Sequence, residues 1–351
     1  MKKRILVAPL NWGLGHATRC IPIIRALILC GLEPVVASDG NALLLLQKEF
    51  PELIFVALPA YDISYPKNGK YLKFKFFMDS PRLLKVIKAE KKVTKNIVET
   101  YHISGIISDN RFGVYDEHTP SVYVTHQLQV LSGMTTWFST KMHQKIIEKF
   151  DVCWVPDTNS DFNLSGELGH VNSINIPVEY IGALSRFELK KEIIKNNILV
   201  LLSGPEPQRT LLEDILLREL QSYNGKVVFV KGIMENEQKV EHFENMAVYN
   251  FMTSELLEKI INESELIISR SGYTTIMDLA KLNKKAFFIP TPGQFEQEYL
   301  AKKLTNLNLV PSCNQDEFTL NKLKNIDAFK GLKSFDYEVN FENLFSLFER
   351  E

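Results

Sequence analysis

The sequence predicts an α/β chain of two domains, each a parallel sheet covered by helices on both faces. Three observations carry that prediction. The chain has 351 residues, long for one hydrophobic core and natural for two. Short apolar runs alternate with helical patterns, which is how strands buried on both faces read when helices cover them. The alternation then restarts near Asn197, so the second half repeats the architecture of the first without repeating its sequence.

Taken in order, "RILVAP" reads as the first strand. Lys2, Lys3 and Arg4 before it imitate a secretion signal, but the apolar run stops at Leu10 and Trp12, Gly13 and His16 follow. A glycine-bearing loop and a helix from about Thr18 to Cys30 come next. "EPVVAS" and "ELIFVAL" are the second and third strands, and "GIISD" follows a long helix. "SVYVT" and "DVCWVP" complete the first half. The second half opens with the strand "NILVLLS", the helix "PQRTLLEDILLRELQSY" and the strand "KVVFVKG". A shorter strand "MAVYNF", the helix "SELLEKIINES", the strand "LIISRS" and the helix "TTIMDLAKL" follow. "KAFFIPTP" is the last strand and "FEQEYLAKKL" a further helix. The pattern is that of two Rossmann-like domains, 1–184 and 197–330, joined by a linker at 185–196. In 331–351, Phe341, Leu344, Phe345, Leu347 and Phe348 fall at helical spacing, predicting a terminal helix that packs back on the N-terminal domain.

Composition removes several function classes. Apolar content of 45% and charged content of 24% are those of an ordinary soluble domain. A net charge of -1 gives no field for nucleic acid. Cys20, Cys30, Cys153 and Cys313 form no CxxC pair, which fits reduced thiols and neither a disulfide framework nor a zinc site. No run approaches the roughly 18 apolar residues of a membrane span. A cytoplasmic protein is expected, at the inner face of the membrane if it meets one.

In open α/β sheets ligands bind beyond the carboxyl ends of the strands, so the loops there carry the chemistry. After the first strand comes "NWGLGHATR", with Asn11, Gly13, Gly15 and His16. Its glycines permit close backbone approach, the helix N-terminus favours an anion, and a neutral His16 can serve as a general base. A tight turn with a locally bonded histidine accounts for the same residues. "SDNRFG" and "VTHQLQ" add Asp109, Asn110, Arg111, His126 and Gln127 at two further strand ends. In the second half, Ser203 and Gly204 can line a diphosphate and Arg209 neutralise one. "SRSGYTT" brings Arg270, Ser271, Gly272 and Thr274 to a helix N-terminus, where they can cradle phosphate or merely cap the helix. Asp278 lies about one turn on, within reach of a sugar hydroxyl. Gln294, Glu296, Gln297 and Glu298, in "PTPGQFEQE", suit a polyhydroxylated ligand or a solvated first turn.

"GLGHATR", together with "SRSGYTTIMDLA…IPTPGQFEQEYLA", resembles the GT-B nucleotide-sugar glycosyltransferases. The likeness is strongest to relatives of the peptidoglycan N-acetylglucosaminyltransferase, and it runs to about residue 310. It implies two Rossmann-like domains facing across a cleft, with a UDP-sugar on the C-terminal domain and the acceptor on the N-terminal one. It places Ser271 and Gly272 at the diphosphate, Asp278 at the ribose and Phe251 at the base. Gln297 and Glu298 fall at the donor sugar, where the family more often has Asp-Gln or Gln-Gln. His16 matches the histidine that assists the acceptor hydroxyl, with Asp109 orienting it or acting as the base itself. The chain has no Asp-x-Asp, so no metal is expected and no cofactor beyond the donor. Helix N-termini and Arg209 or Arg270 would then stabilise leaving UDP in a single inverting displacement.

The acceptor implied is lipid-linked or a small glycan, in cell-envelope, glycolipid or polysaccharide synthesis. Residues 67–95 hold ten Lys/Arg against Asp79 and Glu90, interleaved with Tyr71, Phe74, Phe76 and Phe77. Such a segment can rest on anionic membrane or form a solvated helix face. Two alternatives share the fold: a nucleotide-sugar epimerase or hydrolase, and a sugar-nucleotide-binding protein without catalysis.

Overall fold

A computed structural model describes residues 2–61, 72–171, 173–332 and 339–349, with backbone alone for 72–81 and 134. It divides into two compact units. The first holds seven strands: β1 (Arg4–Pro9), β2 (Glu33–Ser38), β3 (Ile54–Ala57), β4 (Ile103–Asp109), β5 (Ser121–Val124), β6 (Val152–Val155) and β7 (Val178–Tyr180). Their order is β3-β2-β1-β4-β5-β6-β7, and every pairing is parallel. Parallel neighbours need crossovers. These are supplied by α1 (Gly15–Leu29), α2 (Gly40–Glu49), α3 (Leu72–Tyr101) and α4 (Thr136–Ile147).

The apolar strand runs are buried as their lack of alternation predicts: Leu6, Ala8, Val35, Ala37 and Ile106 sit in one cluster on one face of the sheet. The strand order turns back between β1 and β4, where Pro9 lies in register with Asp109. That reversal opens a crevice at the carboxyl ends of both strands, the usual ligand position in such sheets. Helix α1 begins at Gly15, earlier than its sequence pattern suggests. Thr18 does not cap it; its hydroxyl donates to the Gly15 carbonyl from inside the first turn, 3.0 Å away.

The second unit, Ser185–Asp336, holds β8 (Asn196–Leu201), β9 (Val227–Val230), β10 (Val240–Phe243), β11 (Met246–Tyr249), β12 (Ser264–Ser269) and β13 (Lys285–Phe288). The order is β10-β11-β9-β8-β12-β13, parallel except for β10, an exposed antiparallel edge hairpinned to β11. Helices α5 (Gln208–Leu220), α6 (Ser254–Asn262), α7 (Tyr273–Lys281) and α8 (Phe295–Asn306) cover it. Here the reversal lies between β8 and β12, which brings the Ser203 and Ser271 loops to one crevice. Short 3-10 turns follow, and their Phe318 and Leu323 enter the same core as Leu212, Phe229 and Ile268.

The terminal helix α9 (Phe341–Phe345) belongs to the first unit. Phe345 and Phe348 stand 6.4 and 6.3 Å from the Trp154 ring. The absence of a side chain at Gly105 on β4 makes room for Phe348, whose ring carbon would lie 2.2 Å from an added Cβ. Among the described residues no helix is long and apolar enough to cross a membrane.

Candidate active site

The first-unit crevice gathers residues from three strand ends. His16 lies in the first turn of α1 with its side chain 15% exposed, and its Nδ1 is 2.7 Å from Asp109 Oδ1. Asp109 ends β4 fully buried and takes a two-pronged contact from the Arg19 guanidinium. Arg19 also reaches the His126 Nδ1 at 3.0 Å and lies 3.0 Å from the His16 Nδ1. The Cys20 thiol points at Asp109 from 3.6 Å.

The charges follow from this geometry. Burial alone would raise the Asp109 carboxyl, but Arg19 and His16 outweigh it and hold it at about 2. Burial lowers His16 below the usual imidazole value; Asp109 opposes that shift and Arg19 adds to it. The imidazole is therefore neutral near pH 7. A carboxylate can only accept, so Nδ1 carries the proton toward Asp109 and Nε2 keeps its lone pair. A neutral histidine oriented by a buried carboxylate is a general base.

The structure reassigns other residues of the first unit. Asn11, expected beside an acceptor, is committed to the scaffold: its amide donates to Asp39 at 3.1 Å and its oxygen accepts from Ala42 N at 3.2 Å. Arg111 is buried against Asp39 and Glu90 and donates to the Pro9 carbonyl, so it ties strand ends together. Asn110 takes a left-handed φ of 56° and accepts from the Tyr123 hydroxyl at 3.0 Å. The Gln127 N–H donates to Thr125 Oγ1. Gly13 has φ 73° and open space where a Cβ would sit, whereas Gly15 is simply the first residue of α1. Arg19, at the centre of the cluster, was missed by sequence reasoning. Its signal was its spacing three residues after His16, which puts both on one helix face.

In the second unit the loops line up as backbone surfaces, and most of the nominated side chains turn inward. Arg270 turns its guanidinium into the scaffold. It is buried, donating to the carbonyls of Ile289, Pro290 and Gln208 and to Gln315 Oε1. Arg209 is likewise engaged, by Glu206 and Glu213. A cation with no nearby solvent must find partners, and both found them in the scaffold. The Ser271 hydroxyl donates to the Gln297 carbonyl at 2.8 Å, and Gln297 Oε1 accepts from Thr291 N at 2.8 Å. Glu298 Oε1 receives the Gly293 N–H at 2.8 Å, which pins the turn entering α8.

The backbone stays accessible at the glycines. Gly204 has φ 106° with nothing within 4 Å of an added Cβ, and Ser203 beside it is half-buried. Gly272 is the N-cap of α7 and brings no side chain over the helix's positive end; an added Cβ would meet only Thr275 Oγ1, at 4.0 Å. Thr274 sits half-buried in that first turn, as Gln294 and Glu296 do around the start of α8. Phe251 is buried, its N–H donating to Asn250 Oδ1 at 2.9 Å. Asp278 is 9% exposed and accepts from the Ser185 hydroxyl at 2.7 Å. Burial lifts its carboxyl to about 6, against the lowering pull of Arg186 and Ser185.

Residues 208–328 match the Glycosyltransferase family 28 C-terminal domain. The UDP-N-acetylglucosamine–N-acetylmuramyl-(pentapeptide) pyrophosphoryl-undecaprenol N-acetylglucosamine transferase of Clostridium tetani is 24% identical over 374 residues, covering 100% of this chain and 98% of its own. The chain carries a glycosyltransferase family 28 C-terminal domain, and its fold is that of the GT-B glycosyltransferases. The fold of the glycosyltransferase is shared with MurG of Acinetobacter baumannii, at a TM-score of 0.57 and 14% identity over 100% of both chains. It is shared also with the glycosyltransferase VinC, solved in complex with dTDP, at 0.59 and 12% over 99% and 100% of the two chains.

Proposed function

We propose that the glycosyltransferase moves a sugar from a UDP-sugar to a hydroxyl of a lipid-linked or small glycan acceptor, in cell-envelope or glycolipid synthesis, with inversion and without a metal. The observation that carries this reading is the His16–Asp109 pair in the β1/β4 crevice. His16 Nε2 removes the proton of the acceptor hydroxyl while its oxygen bonds to the anomeric carbon. The bond from that carbon to UDP breaks, and the leaving diphosphate takes the electron pair. Asp109 stabilises the imidazolium that forms.

The second unit supplies the donor surface in this reading. The open backbone at Gly204 and the N-terminus of α7 suit a diphosphate, since backbone N–H groups at a helix start favour an anion. Asp278 is proposed for the ribose, the backbone near Phe251 for the base, and Gln294, Glu296, Gln297 and Glu298 for the sugar. The name of the Clostridium tetani relative supports a UDP-sugar and a lipid-linked acceptor, and the VinC complex supports a nucleoside diphosphate on this fold.

Contact with anionic membrane belongs to the same proposal. Of the basic stretch 67–95, residues 67–71 lie outside the described residues and 72–81 are described by backbone alone, but α4 adds an exposed face of Trp137, Phe138 and Met142 with Lys141 and Lys145 beside them. Sedimentation with phosphatidylglycerol vesicles should fall for Trp137→Ser, and binding that ignores lipid charge would remove the membrane contact.

Turnover with UDP-N-acetylglucosamine and a lipid-linked acceptor, with EDTA present, tests the reaction. His16→Ala should lower kcat by about 10²–10⁴-fold, and the product linkage should be inverted by NMR. Full rate in both His16→Ala and Asp109→Asn would reject the mechanism. Donor consumption equally fast without acceptor would point to a hydrolase or epimerase.

A further inference from the structure

Arg19 has no place in the proton transfer itself, yet it sits at the centre of the first-unit cluster, 1% exposed, and contacts Asp109, His16 and His126. A guanidinium offers only donors. Whatever faces it must therefore present a lone pair, and this fixes where protons can be.

His126 follows the end of β5 and directs Nδ1 at Arg19 NH1, 3.0 Å away. That Nδ1 must be the acceptor, so the ring proton of this tautomer is on Nε2, and the Gln127 amide 3.5 Å from Nε2 then turns its oxygen toward it. His16 shows the opposite arrangement. Its Nδ1 is 2.7 Å from a carboxylate oxygen and 3.0 Å from Arg19 NH2. An unprotonated nitrogen at 2.7 Å from a carboxylate would set lone pair against lone pair, so Nδ1 carries the proton. The Arg19 hydrogens on that side go to Asp109.

We propose that Arg19 is a positioning residue that holds the two histidines of the site in opposite tautomers, His16 with a basic Nε2 and His126 with an Nε2–H donor. One cation bonded to a shared carboxylate and to a second imidazole thereby prepares a base and a hydrogen-bond donor in one crevice. The donor suits an oxygen of the hydroxylated acceptor. The charged and titratable groups acting on His16 are Arg19 from α1, Asp109 from β4 and His126 after β5, while Cys20 from α1 contacts Asp109. Arg19 supplies the positive charge among them that does not titrate in the working range. It keeps His16 from binding a proton too firmly, in the direction that burial also acts.

This inference takes its functional sense from the proposed role of His16 as base, but its structural content can be tested separately. The full chain, labelled with 15N-histidine, gives long-range 15N–1H spectra that report each ring nitrogen. Seven histidines are present, and His16→Gln and His126→Gln assign the two signals. The expected wild-type result is a protonated Nδ1 on His16 and a protonated Nε2 on His126. Arg19→Met should leave His126 as a mixture of tautomers and lower kcat at least 10-fold with little change in donor KM. Arg19→Lys, which keeps one cation but not the fork, should recover part of the His126 signal; it also serves if Arg19→Met fails to fold. A proton on Nδ1 of wild-type His126, or spectra of both rings unchanged in a folded Arg19 variant, would overturn the proposal. The expected tautomers alongside full turnover in His16→Ala would sustain the role of Arg19 and reject His16 as base.

Discussion

Replacing Asp278 by Asn should make the protein more stable above pH 6 while weakening its grip on the donor. Asp278 is 9% exposed, and burial lifts its carboxyl from an ordinary 3.8 to about 6. The folded chain therefore binds the proton more tightly than the unfolded chain does. Stability from this group is fully present below pH 4 and is lost as pH rises through 6. The difference of about two pH units corresponds to roughly 3 kcal/mol at about 1.4 kcal/mol per unit.

Asparagine removes the buried charge but accepts less strongly from the Ser185 hydroxyl. Exchanging a charge-assisted hydrogen bond for a neutral one costs about 1 kcal/mol. The net gain expected at pH 7.5 is then about 2 kcal/mol, or roughly 4–8 °C for a unit of this size. Urea unfolding of both proteins at pH 4 and pH 7.5, with isothermal titration of UDP at pH 7.5, measures the two sides. A gain confined to the higher pH, together with weaker UDP binding, is the expected outcome. An Asp278→Asn protein no more stable than wild type at pH 7.5, or equally favoured at pH 4, would refute the argument from burial.

Asp109→Asn should act in the opposite sense, since it leaves buried Arg19 without its anion; a loss of about 3–5 kcal/mol is expected by chemical denaturation. In wild type the depressed Asp109 contributes stability that is present above pH 4 and disappears as pH falls toward 2, which acid unfolding should show as a loss of about 2 kcal/mol. Arg270→Met removes the donor to three carbonyls and Gln315, so thermal unfolding should drop by about 2–4 kcal/mol, with UDP affinity in the surviving folded fraction within twofold of wild type. Gly105→Ala forces a methyl into the Phe348 ring, and hydrogen exchange should show α9 released at a cost of about 1–3 kcal/mol.

Most of the fold could be read from periodicity alone, because a strand buried on both faces must be apolar throughout and the covering helices must show their own period. What escaped were elements without that pattern. β7 has three residues, none fully buried, and β10 is exposed along its whole length, so neither needed an apolar run. The candidate site was legible as a set of loops, since a strand's carboxyl end is set by the order of elements. The direction of each side chain was not. Arg270 reads in sequence as a cation beside a phosphate loop, but its partners lie at Gln208, Ile289, Pro290 and Gln315, up to 62 residues away. Glu298, the position that departs from the family pattern, holds the Gly293 N–H with one oxygen, a local role that its neighbours in sequence do not disclose.

In the proposed reaction the two crevices have different tasks, and their side chains are arranged differently. In the first unit the polar side chains form one cluster: burial lowers His16 against the pull of Asp109, Arg19 holds Asp109 down, and His126 faces the same guanidinium. Moving a proton needs groups whose affinity for it can be tuned, and burial beside a fixed cation does the tuning. In the second unit Arg209, Arg270, Ser271 and Gln297 are turned into the scaffold, and the glycines at 204 and 272 keep side chains off the main chain there. A leaving diphosphate gains negative charge as its bond to the anomeric carbon breaks but need exchange no proton with the protein, so fixed N–H dipoles serve it without any side chain changing protonation. The two surfaces should therefore respond differently to substitution. Isosteric changes at His16, Asp109 or Arg19 alter the pH dependence of turnover, whereas adding a side chain at Gly204 or Gly272 raises donor KM and leaves the pH profile where it was.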